Sequence, residues 1–242
     1  MKRKKVGKIL MIIVVVFALL IGCGFAYLYT NGMSGMSNTT QAKDGQIKIA
    51  CVGDSVTYGH GISGWPGNSY PALLQELLGE GYHVNNYGVS MHALQDTSDY
   101  PYTSVKYYQE SLDYDADIVV FMLGTNDSKP VNWIDAASFR EDLITMLERY
   151  ADAEIYLCTP AASFFLNGQT EGVTEHDIQP LIVEEIAQII RAVAEEKGYS
   201  LIDIHTLTEG HSEWFAKDGV HPDNNGAAAI AQEIYTVLTK EK

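Results

Sequence analysis

Short apolar runs alternate with amphipathic helical stretches along this chain, and they predict an α/β fold on an open, five-stranded parallel sheet. Two further observations sharpen that reading. The third run, IVVFML from Ile118, is apolar throughout, as expected of a parallel strand covered on both faces. Polar and glycine residues gather where several runs end, at the edge where open parallel sheets bind ligands.

Before the sheet comes a distinct N-terminus. Lys2, Arg3, Lys4, Lys5 and Lys8 precede 21 uncharged residues, Ile9 to Tyr29. A bilayer-spanning helix needs about 20 apolar residues. Residues 1–30 are therefore expected to be one N-terminal transmembrane helix or signal anchor, with the basic cluster cytoplasmic and the remainder extracellular. Leu20-Ile21-Gly22-Cys23 also resembles a lipobox, so the alternative is a lipoprotein anchored at Cys23. Residues 31–46 (NGMSGMSNTTQAKDGQ) read as a flexible linker. Residues 47–242 remain as one domain, long enough to bury a core without staples.

Strands are expected at Ile47–Gly53, Val84–Val89, Ile118–Gly124, Glu154–Thr159 and Leu201–His205. The first helix is expected over Tyr70–Leu78, with Ser69 as N-cap and Pro71 in its first turn. Phe139–Tyr150 places Leu143, Ile144 and Leu147 at helical spacing. Asp177–Lys197 carries an apolar stripe that includes Ile178, Leu181, Ile182, Ile186, Ile189, Ile190 and Val193. A last helix is expected from near Asn225 to Leu238. Cys51 and Cys158 fall inside strand-like runs and read as small buried hydrophobes.

Charge narrows the partners. Five of the 16 Lys and Arg residues lie in residues 1–8, so 11 stand against 31 acids in residues 9–242, a net charge of −20. Such a surface repels phosphate backbones, which argues against nucleic acid, and it repels anionic lipid headgroups too. Neutral ester substrates, small molecules or polysaccharides, are indifferent to it.

The strand ends carry the chemistry. Gly53-Asp54-Ser55 ends the first run, Asn85-Asn86-Tyr87-Gly88-Val89-Ser90 the second, and Leu123-Gly124-Thr125-Asn126-Asp127 the third. Lys217-Asp218-Gly219-Val220-His221-Pro222 precedes the last helix. A serine needs a base within hydrogen-bond reach to act as a nucleophile, and histidine supplies one near neutral pH. Asp218, three residues before His221, can hold the other ring nitrogen within one tight turn. The N–H of Ser55, the N–H of Gly88 and the side-chain amide of Asn126 are candidate donors to a tetrahedral oxyanion. Activity is then expected to fall as His221 becomes protonated.

GDSVTYG, NYGVS, LGTND and DGVHP resemble, in order, the four blocks of the SGNH hydrolases, the GDSL esterase and lipase family. The resemblance spans Ile47 to about Leu238. It implies a flavodoxin-like three-layer α/β/α sandwich, with no metal; we expect no cofactor. Ser55 is implied as nucleophile, Gly88 and Asn126 as oxyanion-hole partners, and Asp218 with His221 as the acid–base pair. The glycine block departs by continuing Val-Ser-Met, where family members often place another small residue. LGTNDSKPVNW and IYLCTP further resemble members grouped with carbohydrate O-acetylesterases.

Rival readings fare worse. Gly59-His60-Gly61-Ile62-Ser63-Gly64 matches a dinucleotide fingerprint, but it starts six residues after the strand and no acid ends the second strand. It reads as a flexible loop beside the pocket. No G-x-S-x-G surrounds Ser55. A metal reading of Asp218, His221 and Asp223 lacks a second histidine at helical spacing. His60, His83, His92, His176, His205 and His211 are set outside the chemistry, with His60 and His92 beside the pocket. Tyr58, Trp65, Tyr70, Trp133, Phe164 and Phe165 are candidates for stacking on sugar rings. The expectation is an extracytoplasmic serine esterase acting on O-acetyl esters of carbohydrates. The alternatives are a lysophospholipase or short-chain acyl esterase, with an acyl groove from the loop Ala161–His176, and a non-catalytic glycan-binding module.

Overall fold

The computed structural model describes residues 39–240, together with 11, 14–17 and 19–22. The expected membrane anchor over 1–30 lies outside the described residues apart from those few positions. Among the described residues no helix is long and apolar enough to cross a membrane.

Five parallel strands form one sheet in the order β2-β1-β3-β4-β5. They are β1 (Ile47–Gly53), β2 (Tyr82–Gly88), β3 (Ile118–Met122), β4 (Glu154–Cys158) and β5 (Ser200–Ile202). Successive side chains of a strand point to opposite faces, and here both faces are apolar. Ala50, Val52, Val119, Phe121, Ile155 and Leu157 point one way, into a core with Phe139, Leu143, Ile186 and Ile190. Ile49, Cys51, Val120, Met122, Tyr156 and Cys158 point the other way, against Tyr70, Leu74, Ile230 and Ile234. The continuous hydrophobic runs therefore serve two cores. The helices that close them are α2 (Tyr70–Leu78) and α7 (Asn224–Lys240) on one face, α4 (Ala136–Leu147) and α5 (Pro180–Lys197) on the other. The shorter helices are α1 (Ser55–Tyr58), α3 (Lys106–Asp113) and α6 (Ile204–Thr208).

Several boundaries moved, for local reasons. β5 stops at Ile202 because Asp203 caps α6, its carboxylate accepting the Thr206 N–H; His205 is thus helical. α4 starts three residues early, at Ala136, because Asp135 accepts the Ser138 N–H at 2.8 Å. α5 starts at Pro180 rather than Asp177, which has φ 59. Ser69 makes no side-chain cap; its hydroxyl donates to the Pro66 carbonyl at 2.8 Å. The short helix α3, not expected from the sequence, packs Tyr107, Tyr108 and Leu112 against the core, a face only two turns long and built mostly of tyrosine. Residues 39–46, read as linker, include Thr40 hydrogen-bonded along β2: its N–H donates to Asn85 Oδ1 and its carbonyl accepts from Asn85 Nδ2, each at 2.9 Å.

The sheet order reverses direction between β1 and β3, whose chains leave toward opposite edges. In such sheets the crevice at that switch point is the ligand site.

Candidate active site

Four chain segments meet at this crevice. β1 ends at Gly53, where a Cβ would stand 2.0 Å from Thr57 Oγ1 and 2.6 Å from the Met122 carbonyl, so only glycine lets the chain turn there. Buried Asp54 then caps α1, its Oδ1 accepting the Val56 N–H at 2.9 Å. That cap fixes Ser55 as the first residue of a four-residue helix, ahead of its ladder of hydrogen bonds. Gly59, left-handed at φ 88, ends the helix.

His221 reaches Ser55 from the opposite wall. Its Nε2 lies 3.0 Å from Ser55 Oγ, and its Nδ1 lies 2.7 Å from Asp218 Oδ2. The other carboxylate oxygen, Oδ1, accepts the backbone N–H groups of Val220 at 2.9 Å and His221 at 3.0 Å. Asp218 thus shapes the turn and orients the ring together. Burial would raise its pKa, but the hydrogen bonds from the His221 ring and from the two N–H groups outweigh burial and hold it far below the usual carboxylate range. Gly219 is left-handed at φ 72, and a Cβ there would meet the Phe164 carbonyl at 2.5 Å. The Phe164 N–H donates to the Gly219 carbonyl at 2.8 Å, packing the loop from Ala161 onto the turn.

Two more imidazoles flank His221. The His60 ring centroid is 4.6 Å away and that of His176 is 5.1 Å away, edge-on. Burial first, then the neighbouring histidines, lower the His60 pKa to about 4, so it is neutral at neutral pH. His176 Nε2 lies 3.3 Å from Asp218 Oδ2, the oxygen that already serves His221. Nothing in the sequence around His176 announced this; only the fold brings residue 176 to residue 218. Among the described residues, His176, Asp218 and His221 are the set whose ligating atoms, all within 4.8 Å, come close enough to hold a metal ion. Asp223 is not part of it, because its carboxylate accepts the Asn225 and Gly226 N–H groups at the start of α7.

The oxyanion side needs one correction. Asn126 lines the cleft, and its Nδ2 donates to the His92 carbonyl at 3.1 Å, which fixes the amide plane. The Gly88 N–H, however, already donates to Asn86 Oδ1 at 2.9 Å, and Gly88 is not among the residues lining the cleft. Its lack of a side chain serves packing instead: a Cβ would stand 2.1 Å from the Tyr58 backbone nitrogen. Met91 takes the exposed place. It lines the cleft with φ 74, and among the described residues its N–H has no acceptor. The signal lay in the Val-Ser-Met departure. A family position that prefers a small residue is one where the backbone turns left-handed.

The cleft encloses about 400 Å³ and is lined by Ser55, Asn126, His60, His176 and His221, with Met91, Val131, Ile178 and Val220 as its apolar wall. None of Tyr58, Trp65, Tyr70, Trp133, Phe164 and Phe165 lines it. Tyr58, Trp65 and Tyr70 are buried, Trp133 packs on Phe139, and Phe164 packs on Phe215. The expected sugar-stacking platform is therefore absent from the described lining. His60 lines the cleft as expected, whereas His92 contributes its carbonyl and not its ring. The glycine loop is tied down, with Trp65 Nε1 donating to the Tyr58 carbonyl at 2.7 Å and Asn224 holding both polar backbone groups of Ser63.

Fold and site together define a doubly wound α/β protein with a serine–histidine–aspartate array at the carboxyl edge of its sheet. The sequence model of the GDSL-like Lipase/Acylhydrolase family matches residues 51–229, and the chain belongs to that family. It is similar to an acetylxylan esterase of Xylanibacter ruminicola, 34% identical over 81% of this chain and 44% of that one. The chain spans less than half the length of the curated relatives it matches. In fold it is similar to a carbohydrate acetylesterase from Sinorhizobium meliloti, with TM-score 0.67 and 13% identity, over 81% of this chain and all of that one. It is likewise similar to a lipase/acylhydrolase from Enterococcus faecalis, with TM-score 0.65 and 23% identity over 81% and 97% of the two chains.

Proposed function

We propose that this protein is a serine carboxylic ester hydrolase that removes O-acetyl groups from carbohydrates. The observation that carries the reading is the relay of contacts at the mouth of the cleft, 3.0 Å from Ser55 Oγ to His221 Nε2 and 2.7 Å from His221 Nδ1 to Asp218 Oδ2. His221 takes the Ser55 proton as Oγ attacks the ester carbonyl, while Asp218 fixes the tautomer and balances the imidazolium. The oxyanion is held by the N–H of Ser55, the N–H of Met91 and Nδ2 of Asn126. His221 returns the proton to the leaving alcohol, and water resolves the acyl-enzyme by the same route. The carbohydrate substrate is supported by the similarity to an acetylxylan esterase. Residues 1–30 are read as the tether that holds residues 47–242 outside the cell, by a transmembrane helix or through Cys23.

A second reading, a short-chain acyl esterase, is favoured by the apolar wall of Met91, Val131, Ile178 and Val220. One experiment separates the readings: hydrolysis of p-nitrophenyl esters from acetate to long chains, with acetylated xylan alongside, by wild type and Ser55→Ala. Cleavage confined to acetyl esters and abolished by the substitution supports the proposal. Rates that climb with chain length move the substrate to acyl esters, and full activity of Ser55→Ala removes the mechanism.

A further inference from the structure

Lys129 is the one lysine or arginine lining the cleft, and the chemistry of the site just proposed makes no use of it. Its side chain is 9% exposed, and Asp99 Oδ2, its ion-pair partner, lies 3.9 Å from Nζ, beyond hydrogen-bond reach. No other described residue accepts a hydrogen bond from Nζ. The ammonium opens onto the cleft with its donors unmatched by protein groups, so a ligand that brings acceptors there gains bonds to a charged group that an apolar ligand forgoes. Asp99, also on the lining, is held firmly: Asn132 donates to its Oδ1 at 2.9 Å and accepts its N–H at 2.8 Å. Asn132 Nδ2 also donates to the Asn126 carbonyl at 2.9 Å, and the Lys129 N–H reaches that same carbonyl at 3.3 Å. A cationic donor one turn of chain after Asn126 and an acceptor fixed through Asn132 therefore stand together, a little too far apart to hydrogen-bond each other.

We infer that Lys129 and Asp99 form the subsite for the alcohol half of the ester and grip a vicinal diol of a sugar residue. One hydroxyl oxygen accepts from Nζ while its neighbour donates to Oδ2, and the pair bridges the gap that the side chains leave. An acyl chain in the same place would leave a charged donor and a charged acceptor dry and unpaired. An anionic group would meet Asp99, Glu175 and Asp177 on the same lining. This inference rests on the carbohydrate esterase reading for its substrate class and adds the residues that select it. A sugar ring and a glycerol both present neighbouring hydroxyls, so the test includes both.

The test compares wild type, Lys129→Met and Asp99→Asn on acetylated xylo-oligosaccharide, glycerol monoacetate and p-nitrophenyl acetate, with calorimetric titration of the deacetylated oligosaccharide. Thermal melting checks that each variant is folded. Each substitution is expected to lower kcat/KM on the sugar ester about 10- to 100-fold, the loss that goes with one hydrogen bond to a charged group, and at least tenfold more than on the aryl ester. Oligosaccharide affinity is expected to fall by a similar factor. Equal losses on sugar and aryl esters overturn the subsite, and an equal loss on glycerol monoacetate overturns its assignment to a sugar. Failure of the esterase reading looks different: wild type cleaves no ester at all. The calorimetry then decides alone, since Lys129-dependent sugar binding keeps the subsite and its absence removes it.

Discussion

Asp218→Asn tests the proposed relay most sharply, because the geometry predicts how it fails. Asp218 Oδ1 accepts two backbone N–H groups and Oδ2 accepts the His221 Nδ1 proton. An asparagine that keeps its carbonyl oxygen on the two N–H groups must turn its NH₂ toward Nδ1. Nδ1 then becomes the acceptor, the ring proton moves to Nε2, and Nε2 donates to Ser55 Oγ where it has to accept. The flipped amide is no escape, since it sets an NH₂ against two N–H donors. The turn survives and the base is lost, so the expected drop in kcat is about ten-thousandfold, or about 5.5 kcal/mol at the transition state. The bonds from the two N–H groups and the His221 ring all change from charged to neutral contacts, so the variant should stay folded but lose about 1 to 3 kcal/mol of stability. Initial rates on p-nitrophenyl acetate, measured across pH alongside thermal melts, read both quantities. The deficit should persist at alkaline pH, because the fault is a tautomer and not a bound proton. A folded variant that retains a tenth of wild-type kcat, or that recovers at high pH, refutes the reasoning.

Gly88→Ala should destabilise by about 3 kcal/mol or more, at the top of the overpacking range, because the new Cβ meets backbone of α1; an unchanged urea midpoint would remove the packing role given to Gly88. Asn126→Ala should lower kcat by about 100- to 1000-fold, and an effect confined to KM would take Asn126 out of the oxyanion hole. Asp127 is buried, and burial raises its pKa to about 6 despite the N–H groups of Leu94 and Gln95 bonded to it. Its folded value lies above its unfolded one, so its ionised form destabilises the fold above about pH 6 and that penalty fades as pH falls toward 4. Measured by chemical denaturation, wild type should gain on Asp127→Asn by about 2 kcal/mol between pH 7 and 4, and a constant difference would place the Asp127 pKa near its ordinary value.

The sheet was legible because its strands are buried on both faces: uninterrupted runs such as IVVFM have few other ways to be satisfied. Helices with an apolar stripe were legible for the same reason. What escaped were the features set by polar capping, such as Asp203 cutting β5 short, and the helix α3, whose core-facing side is only Tyr107, Tyr108 and Leu112. At the site, Ser55, Asn126, Asp218 and His221 were readable as neighbours because each stands within two residues of a glycine in a turn near a strand end or helix start. Gly88 misled for an instructive reason. Its place near a strand end suits a donor to the oxyanion, yet the space it leaves free is filled by the backbone of α1. His176 and Lys129 were unreadable as partners, since each meets its carboxylate only across the closed fold, at Asp218 and Asp99.

The crevice owes its shape to buried acids that perform no proposed chemical step. Asp127 follows Asn126 in the chain, and its two oxygens accept the N–H groups of Leu94 at 2.9 Å and Gln95 at 2.8 Å. That clamp ties the loop after β3 to the loop after β2, so Met91 and Asn126 are located relative to each other by a third residue. Asp54 does the same service at β1 by capping the helix that begins with Ser55. Three loops leaving three strands are thereby fixed without any of the oxyanion donors having to bond to one another. Their N–H groups can then stay free for an oxygen that arrives only during the reaction. An oxyanion hole requires that freedom, and a neutral residue in place of Asp127 would hold its two loops less firmly at neutral pH, because hydrogen bonds to a charged acceptor are roughly twice as strong. Burial of these carboxylates costs stability, and the site gains from it a geometry that is set before any ester arrives.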